Sequence, residues 1–245
     1  MQERYEALTT DDGTMETFIV HPDIEPGNPG PWPVVLFLMD APGMREEIRD
    51  MSRRLATAGY YVMTSQLYYR DVDHYNVFET GDRDRMFELM GNLSNGMVDR
   101  DCGAMIGLAA GDDAADAERV GVVGYCMSGP FAVTAAAAHP EVVKAAASIH
   151  GVALVTDGDD SPHRHLDKVT AEVYLACAET DSYAPPEMID AFEAAMNDIG
   201  TRGRVEWYPG TEHGFAYRER PAYDKAASER HWERLHHLFA SNLRP

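Results

Sequence analysis

A chain of 245 residues with 44% hydrophobic content is long enough to bury one sizeable core. Its formal net charge of −20 repels nucleic acid and anionic membranes, and because the acidity is spread along the sequence it reads as solvated surface. There is no basic segment followed by an apolar run at the N-terminus and no apolar stretch of membrane-spanning length, so cytoplasmic residence is the expectation.

Residues 14–20 alternate as an early antiparallel strand, and 22–33 form a Pro/Gly-rich connection. Residues 34–39 are a continuous apolar run between Pro33 and Pro42, as expected of a strand covered on both faces. Met44, Ile48, Met51 and Leu55 recur at helical spacing, with Gly59 closing the helix, and 60–64 make another strand. Residues 83–110 read as one long helical region. Strands follow at 119–123, 144–149, 172–178 and 204–208, with helices at 185–199 and 223–243. The absence of a long linker or repeat favours a single domain over 1–245. The alternating order implies an α/β architecture, a mostly parallel sheet with helices on both faces and an active site at the carboxyl ends of the strands.

The stretch 120–129, VGVVGYCMSG, is the most specific feature of the chain. A short apolar strand stops at Cys126, whose neighbours at minus two and plus two, Gly124 and Ser128, are small enough for a tight strand-to-helix turn. A helix beginning just after the cysteine points free N–H groups at the sulfur and at an oxyanion formed beside it. Such a setting favours the thiolate, whereas a lone cysteine in an Ala-rich region is more often a small buried hydrophobe. Two other predicted strands end at Glu179-Thr180-Asp181 and at Pro209-Gly210-Thr211-Glu212-His213. Nucleophile, acid and histidine thus follow one another in the order found in α/β-hydrolases. The chemistry needs these three types: a thiol, a base to take its proton, and an acid to fix the base's tautomer.

The chain resembles the dienelactone hydrolase family, also called carboxymethylenebutenolidases, of the α/β-hydrolase fold. The resemblance is carried by Asp12-Gly13-Thr14, Asp40-Ala41-Pro42-Gly43, Gly59-Tyr60, Gly124-Tyr125-Cys126, Asp181 and His213-Gly214-Phe215-Ala216. It implies Cys126 as nucleophile, His213 as base, Asp181 as orienting acid, and the N–H groups of Met127 and Ala41 as the oxyanion hole. Asp40 stands where the family usually carries a glutamate beside the nucleophile, so it resembles a second carboxylate contacting the thiol. On that basis Asp40→Asn is expected to change thiol reactivity more than stability. The sequence departs from the family at Ser128, usually glycine, and at Ser65-Gln66-Leu67-Tyr68, more usually Pro-Asp-Leu-Tyr. Dienelactone-specific members tend to carry an arginine four residues after the histidine, and that place is Tyr217, with Arg218 next to it.

The implied substrate is a small lactone or activated ester. An anionic one needs a local arginine, since a contact ion pair is worth about 4 kcal/mol at a surface-like dielectric while charges beyond roughly 8 Å are screened. Arg218, Arg83 and Arg85 are the candidates; without one of them a neutral ester is the expected substrate. Tyr68, Tyr125, Phe215 and His150 are expected pocket walls. No cofactor is required, and no metal is expected: His163 and His165 lack a third ligand, and His236 and His237 point to different sides of a helix. Cys102 and Cys177 read as reduced core thiols without the spacing of a disulfide or zinc framework. A monomer or small homo-oligomer is expected. Two competing readings are a non-catalytic ligand-binding module and a redox-sensing thiol.

Overall fold

The computed structural model describes residues 1–25, 27 and 30–244. Within the Pro/Gly-rich connection, Pro26, Asn28 and Pro29 lie outside the described residues, as does Pro245 at the end of the expected domain. The elements run β1 (Gln2–Thr10), β2 (Gly13–His21), β3 (Trp32–Leu38), α1 (Glu46–Thr57), β4 (Tyr61–Ser65), α2 (Val77–Thr80), α3 (Arg83–Gly91) and α4 (Asn95–Ala110). They continue with β5 (Ala115–Tyr125), α5 (Gly129–Ala138), β6 (Val143–Ile149), β7 (Glu172–Thr180), α6 (Pro186–Ile199), β8 (Gly203–Glu212) and α7 (Lys225–Leu243).

The eight strands form one sheet in the order β1-β2-β4-β3-β5-β6-β7-β8. From β4 to β8 every pairing is parallel, while β1 and β2 join one edge antiparallel. β1 is a strand the hydrophobic pattern does not reveal: its side chains alternate between exposed and half-buried, and Glu3, Arg4 and Glu6 keep it polar. That composition suits an unpaired sheet edge, which charge protects against pairing with other chains. The expected single helix at 83–110 is two, because Ser94 accepts a hydrogen bond from the Met97 N–H and starts a new helix at Asn95.

β3 is buried along its whole length, as its unbroken apolar run requires. β7 shows the period-two rule within one strand. Tyr174, Ala176 and Ala178 face the main core, whereas Val173, Leu175 and Cys177 join a second cluster with Ile189, Phe192 and Met196 of α6. The helices cover both faces. α1 and α7 lie together, Arg54 pairing with Glu229 and stacking 4.6 Å from the Trp232 ring centroid, while α4 and α5 pack against each other and β5. Cys102 and Cys177 are both buried, and burial pushes the Cys177 thiol up to about 12 and that of Cys102 well above its ordinary value.

Candidate active site

β5, β7 and β8 end at the same rim of the sheet, and their loops bring the three chemistry-bearing residues together. Cys126 sits at the turn between β5 and α5 with φ +54°, a left-handed conformation a non-glycine residue adopts only when its surroundings hold it there. The turn is so tight that a Cβ on Gly124 would lie 1.8 Å from the Ser128 carbonyl oxygen, so only glycine fits. Ser128 is more than a small residue: its buried hydroxyl donates to the Met39 carbonyl at 2.5 Å and ties the turn to the end of β3, where Asp40 and Ala41 follow.

His213 Nε2 lies 3.1 Å from Cys126 Sγ, and His213 Nδ1 lies 2.6 Å from Asp181 Oδ2. The other Asp181 oxygen accepts the backbone N–H groups of Tyr183 at 2.9 Å and Ala184 at 3.1 Å, which fixes the carboxylate's direction. Burial opposes a charge on His213, but the hydrogen bonds to Asp181 and to the cysteine sulfur outweigh it, and the imidazole is raised to about 9. Rings flank the histidine on two sides, His150 with centroids 4.9 Å apart and Tyr183 at 5.0 Å.

None of the four expected pocket walls, Tyr68, Tyr125, Phe215 and His150, lines the cavity beside Cys126; they stand one layer back. Tyr125 is fully buried, stacked 5.1 Å from Phe37 with its hydroxyl 3.2 Å from His231 Nε2. Burial lowers His231 to about 3, so that histidine stays neutral. Phe215 is fully buried between Tyr208 and His150. His150 itself is buried, with neither ring nitrogen hydrogen-bonded among the described residues, and burial followed by the charge of His213 lowers its pKa far below the ordinary value. Tyr68 is a strut: its hydroxyl donates to the Ala41 carbonyl at 2.9 Å and lies 3.2 Å from Met127 Sδ, bridging the two residues assigned to the oxyanion hole.

Asp40 corrects the sequence expectation. Its fully buried carboxylate takes Arg45 at 2.5 and 3.3 Å and Arg220 at 3.1 Å, and no hydrogen bond joins it to Cys126 among the described residues. The shorter aspartate is drawn to Arg45, itself almost completely buried, which also pairs with Glu47 at 3.3 Å and Glu219 at 3.1 Å and lies 4.8 Å from the Tyr217 ring centroid.

The cavity beside Cys126 and His213 measures about 120 Å³ and is lined by Ala41, Pro42, Val77, Phe78, Arg83, Met86, Phe87, Met90, Val152, Tyr183 and Arg220. Of the three expected arginines it contains Arg83 alone. Arg85 turns away to pair with Glu88 at 2.8 Å. Arg218 lines a separate groove of about 450 Å³ along α1 and α7, with its backbone N–H donating to Glu47. Arg220 takes the place expected of Arg218, because Tyr217 is fully buried and the turn from the Tyr217 carbonyl to the Arg220 N–H brings the later side chain back to the site. Arg83, Met86, Phe87 and Met90 were spaced i, i+3, i+4, i+7, so one stripe of α3 was readable as a unit. Nothing in the sequence marked Tyr183 or Arg45. The other histidines are held locally, His163 Nδ1 by Ser161 at 2.8 Å and His165 Nε2 by the Asp159 carbonyl at 3.0 Å. Among the described residues, no helix is long and apolar enough to cross a membrane.

A parallel sheet wrapped by helices, with a cysteine on the strand-to-helix turn and an acid and a histidine on later strand ends, defines an α/β-hydrolase. The dienelactone hydrolase family model matches residues 15–243, and the chain belongs to that family. A Synechocystis protein provisionally named a carboxymethylenebutenolidase is 27% identical over 227 residues, covering 90% of each chain. One of the same provisional name from Methylorubrum extorquens is 28% identical over 217 residues, 87% of this chain and 74% of that protein. The crystal structure of a provisionally named dienelactone hydrolase from Klebsiella pneumoniae superposes with a TM-score of 0.87 over 98% of both chains at 24% identity, a likeness of fold. Membership places the protein among hydrolases of the carboxylic-ester type.

Proposed function

We propose that the protein hydrolyses small lactones or activated esters through a Cys126-His213-Asp181 triad. The observation that carries this reading is the relay itself, with one histidine nitrogen on the sulfur and the other on a carboxylate whose second oxygen is pinned by two backbone N–H groups. His213 accepts the thiol proton, Asp181 holds the tautomer and stabilises the imidazolium, and the sulfur attacks the substrate carbonyl. The backbone N–H groups of Met127 and Ala41 hold the oxyanion. Collapse expels the alkoxide, enolate or phenolate, protonated by His213, and leaves a thioester on Cys126. Water, deprotonated by His213, attacks that thioester, and release of the acid restores the thiol. A thiolate is itself readily expelled, so good leaving groups are favoured and amides are poor substrates.

An acyl part that carries a carboxylate is favoured over a neutral one. Arg83 and Arg220 both line the cavity, and the buried Arg220 Nε has no hydrogen-bond partner among the described residues, a donor awaiting an acceptor. The continuous sheet supports a single catalytic domain. The redox-sensor reading is weakened by burial of both other cysteines.

Steady-state hydrolysis of cis- and trans-dienelactone beside neutral lactones and nitrophenyl esters tests the proposal. Wild type should turn over the anionic lactones and Cys126→Ala should be inactive. Turnover of neutral esters alone would remove the anionic substrate, and undiminished activity of Cys126→Ala would remove the triad.

A further inference from the structure

Three of the four exposed aromatic side chains among the described residues stand around one opening. Phe78 is 50% exposed, Phe87 41% and Tyr183 53%, and all three line the cavity at Cys126; the fourth, Tyr5, lies on the edge strand β1. Leaving large rings in water is unfavourable, and a cluster of them at the mouth of a reactive pocket marks a surface that a ligand covers. Deeper in, Met86 and Met90 from the same stripe of α3 complete an apolar wall, and thioethers adapt to a ring edge.

The placement of charge narrows the ligand further. Arg83 lies 6.0 Å from the Phe87 ring centroid and Arg220 5.8 Å from that of Phe78, so each cation of the pocket sits beside an aromatic plane. A flat group entering the cavity meets aromatic rings and guanidinium groups, both of which attract an aromatic ring. The cavity of about 120 Å³ is the scale of one six-membered ring, since an engineered cavity of about 150 Å³ is known to take benzene. The wall is also held in register with the chemistry: the Val77 N–H donates to the Pro42 carbonyl at 2.9 Å and Gly43 bridges to Asn76, so α2 is fastened to the loop that carries Ala41.

We propose that the pocket selects substrates whose acyl group carries an aromatic ring, Phe78, Phe87 and Met86 being the residues that determine this specificity. The inference rests on the Cys126 hydrolase reading for turnover, while ring binding is independent of it.

The test pairs kinetics with equilibrium binding. The 4-nitrophenyl esters of acetic and phenylacetic acid share a leaving group, so their kcat/KM ratio reports the acyl pocket. The phenylacetate ester is expected to be favoured at least tenfold, and Phe87→Ser or Met86→Ser to reduce that ratio at least fivefold. Ile199→Ser, an exposed apolar residue at the end of α6, should leave the ratio unchanged. In parallel, calorimetric titration of Cys126→Ala should find phenylacetate bound at least tenfold more tightly than acetate. Equal affinity for the two acids, or a wild-type ratio that Phe87→Ser and Met86→Ser leave in place, overturns the inference. If no ester turns over but phenylacetate still binds selectively, the hydrolase reading fails and the ring pocket stands.

Discussion

Asp40→Asn tests where the buried carboxylate does its work. In the folded protein Asp40 is fully buried and neutralises Arg45, whose side chain is 2% exposed, across contacts of 2.5 and 3.3 Å, with Arg220 as a second partner at 3.1 Å. Breaking a buried ion pair by removing one partner costs about 3–5 kcal/mol, because the other charge is stranded in a low-dielectric interior. Arg45 keeps Glu47 and Glu219, and the asparagine keeps one oxygen acceptor, so the expected loss lies at or below the bottom of that range, about 2–3 kcal/mol. For a chain of this size that corresponds to a fall in Tm of about 4–12 °C. Urea unfolding gives the stability, and the rate of Cys126 alkylation by iodoacetamide in the same samples gives thiol reactivity. Asp40→Asn/Arg45→Met should lose less than the sum of the single variants, since it removes both charges together. An unchanged unfolding midpoint with a several-fold change in alkylation rate would refute the reasoning and restore a direct contact between Asp40 and the sulfur.

Asp181→Asn should cut kcat on an activated ester by about 10²–10⁴-fold, with little change in KM, because it disturbs the base rather than the pocket. The His213 imidazole is raised to about 9 partly by the Cys126 sulfur, so its NMR titration should move down in Cys126→Ala; an unmoved titration would detach the two groups. Since its folded pKa lies above the unfolded value near 6.5, His213 favours the fold fully below about pH 6.5, and that contribution is lost as pH climbs through about 9. Gly124→Ala should fail to give soluble protein, because its methyl would overlap the Ser128 carbonyl, whereas Ser128→Ala should fold and lose about 1 kcal/mol with its bond to Met39.

The strand ends that hold Cys126, Asp181 and His213 were legible because buried parallel strands are apolar runs that stop abruptly, and chemistry-bearing residues follow each stop. Boundaries were less legible: β5 begins at Ala115 and β8 continues to Glu212, since their outer residues are polar where the sheet meets solvent. β1 escaped because an edge strand need bury little, and its charges hide the alternation. The arginines were the hardest to read. Arg218 and Arg220 differ by two positions, and which one reaches the site depends on a turn anchored by Tyr217, whose burial beside Arg45 no local pattern reveals. The same partner, Arg45, decided the fate of Asp40.

The division of labour along the chain has a consequence for how such a protein can change. Cys126, Asp181 and His213 stand at the ends of β5, β7 and β8, while much of the cavity wall comes from one short segment, α2 and α3, between β4 and α4. Codons for residues 77–90 can therefore diverge without displacing Cys126, Asp181 or His213, as long as the stitch between Val77 and Pro42 persists. A lineage, or an engineer, can retune what the enzyme accepts by rewriting these two short helices and keep the strand ends as a fixed chassis.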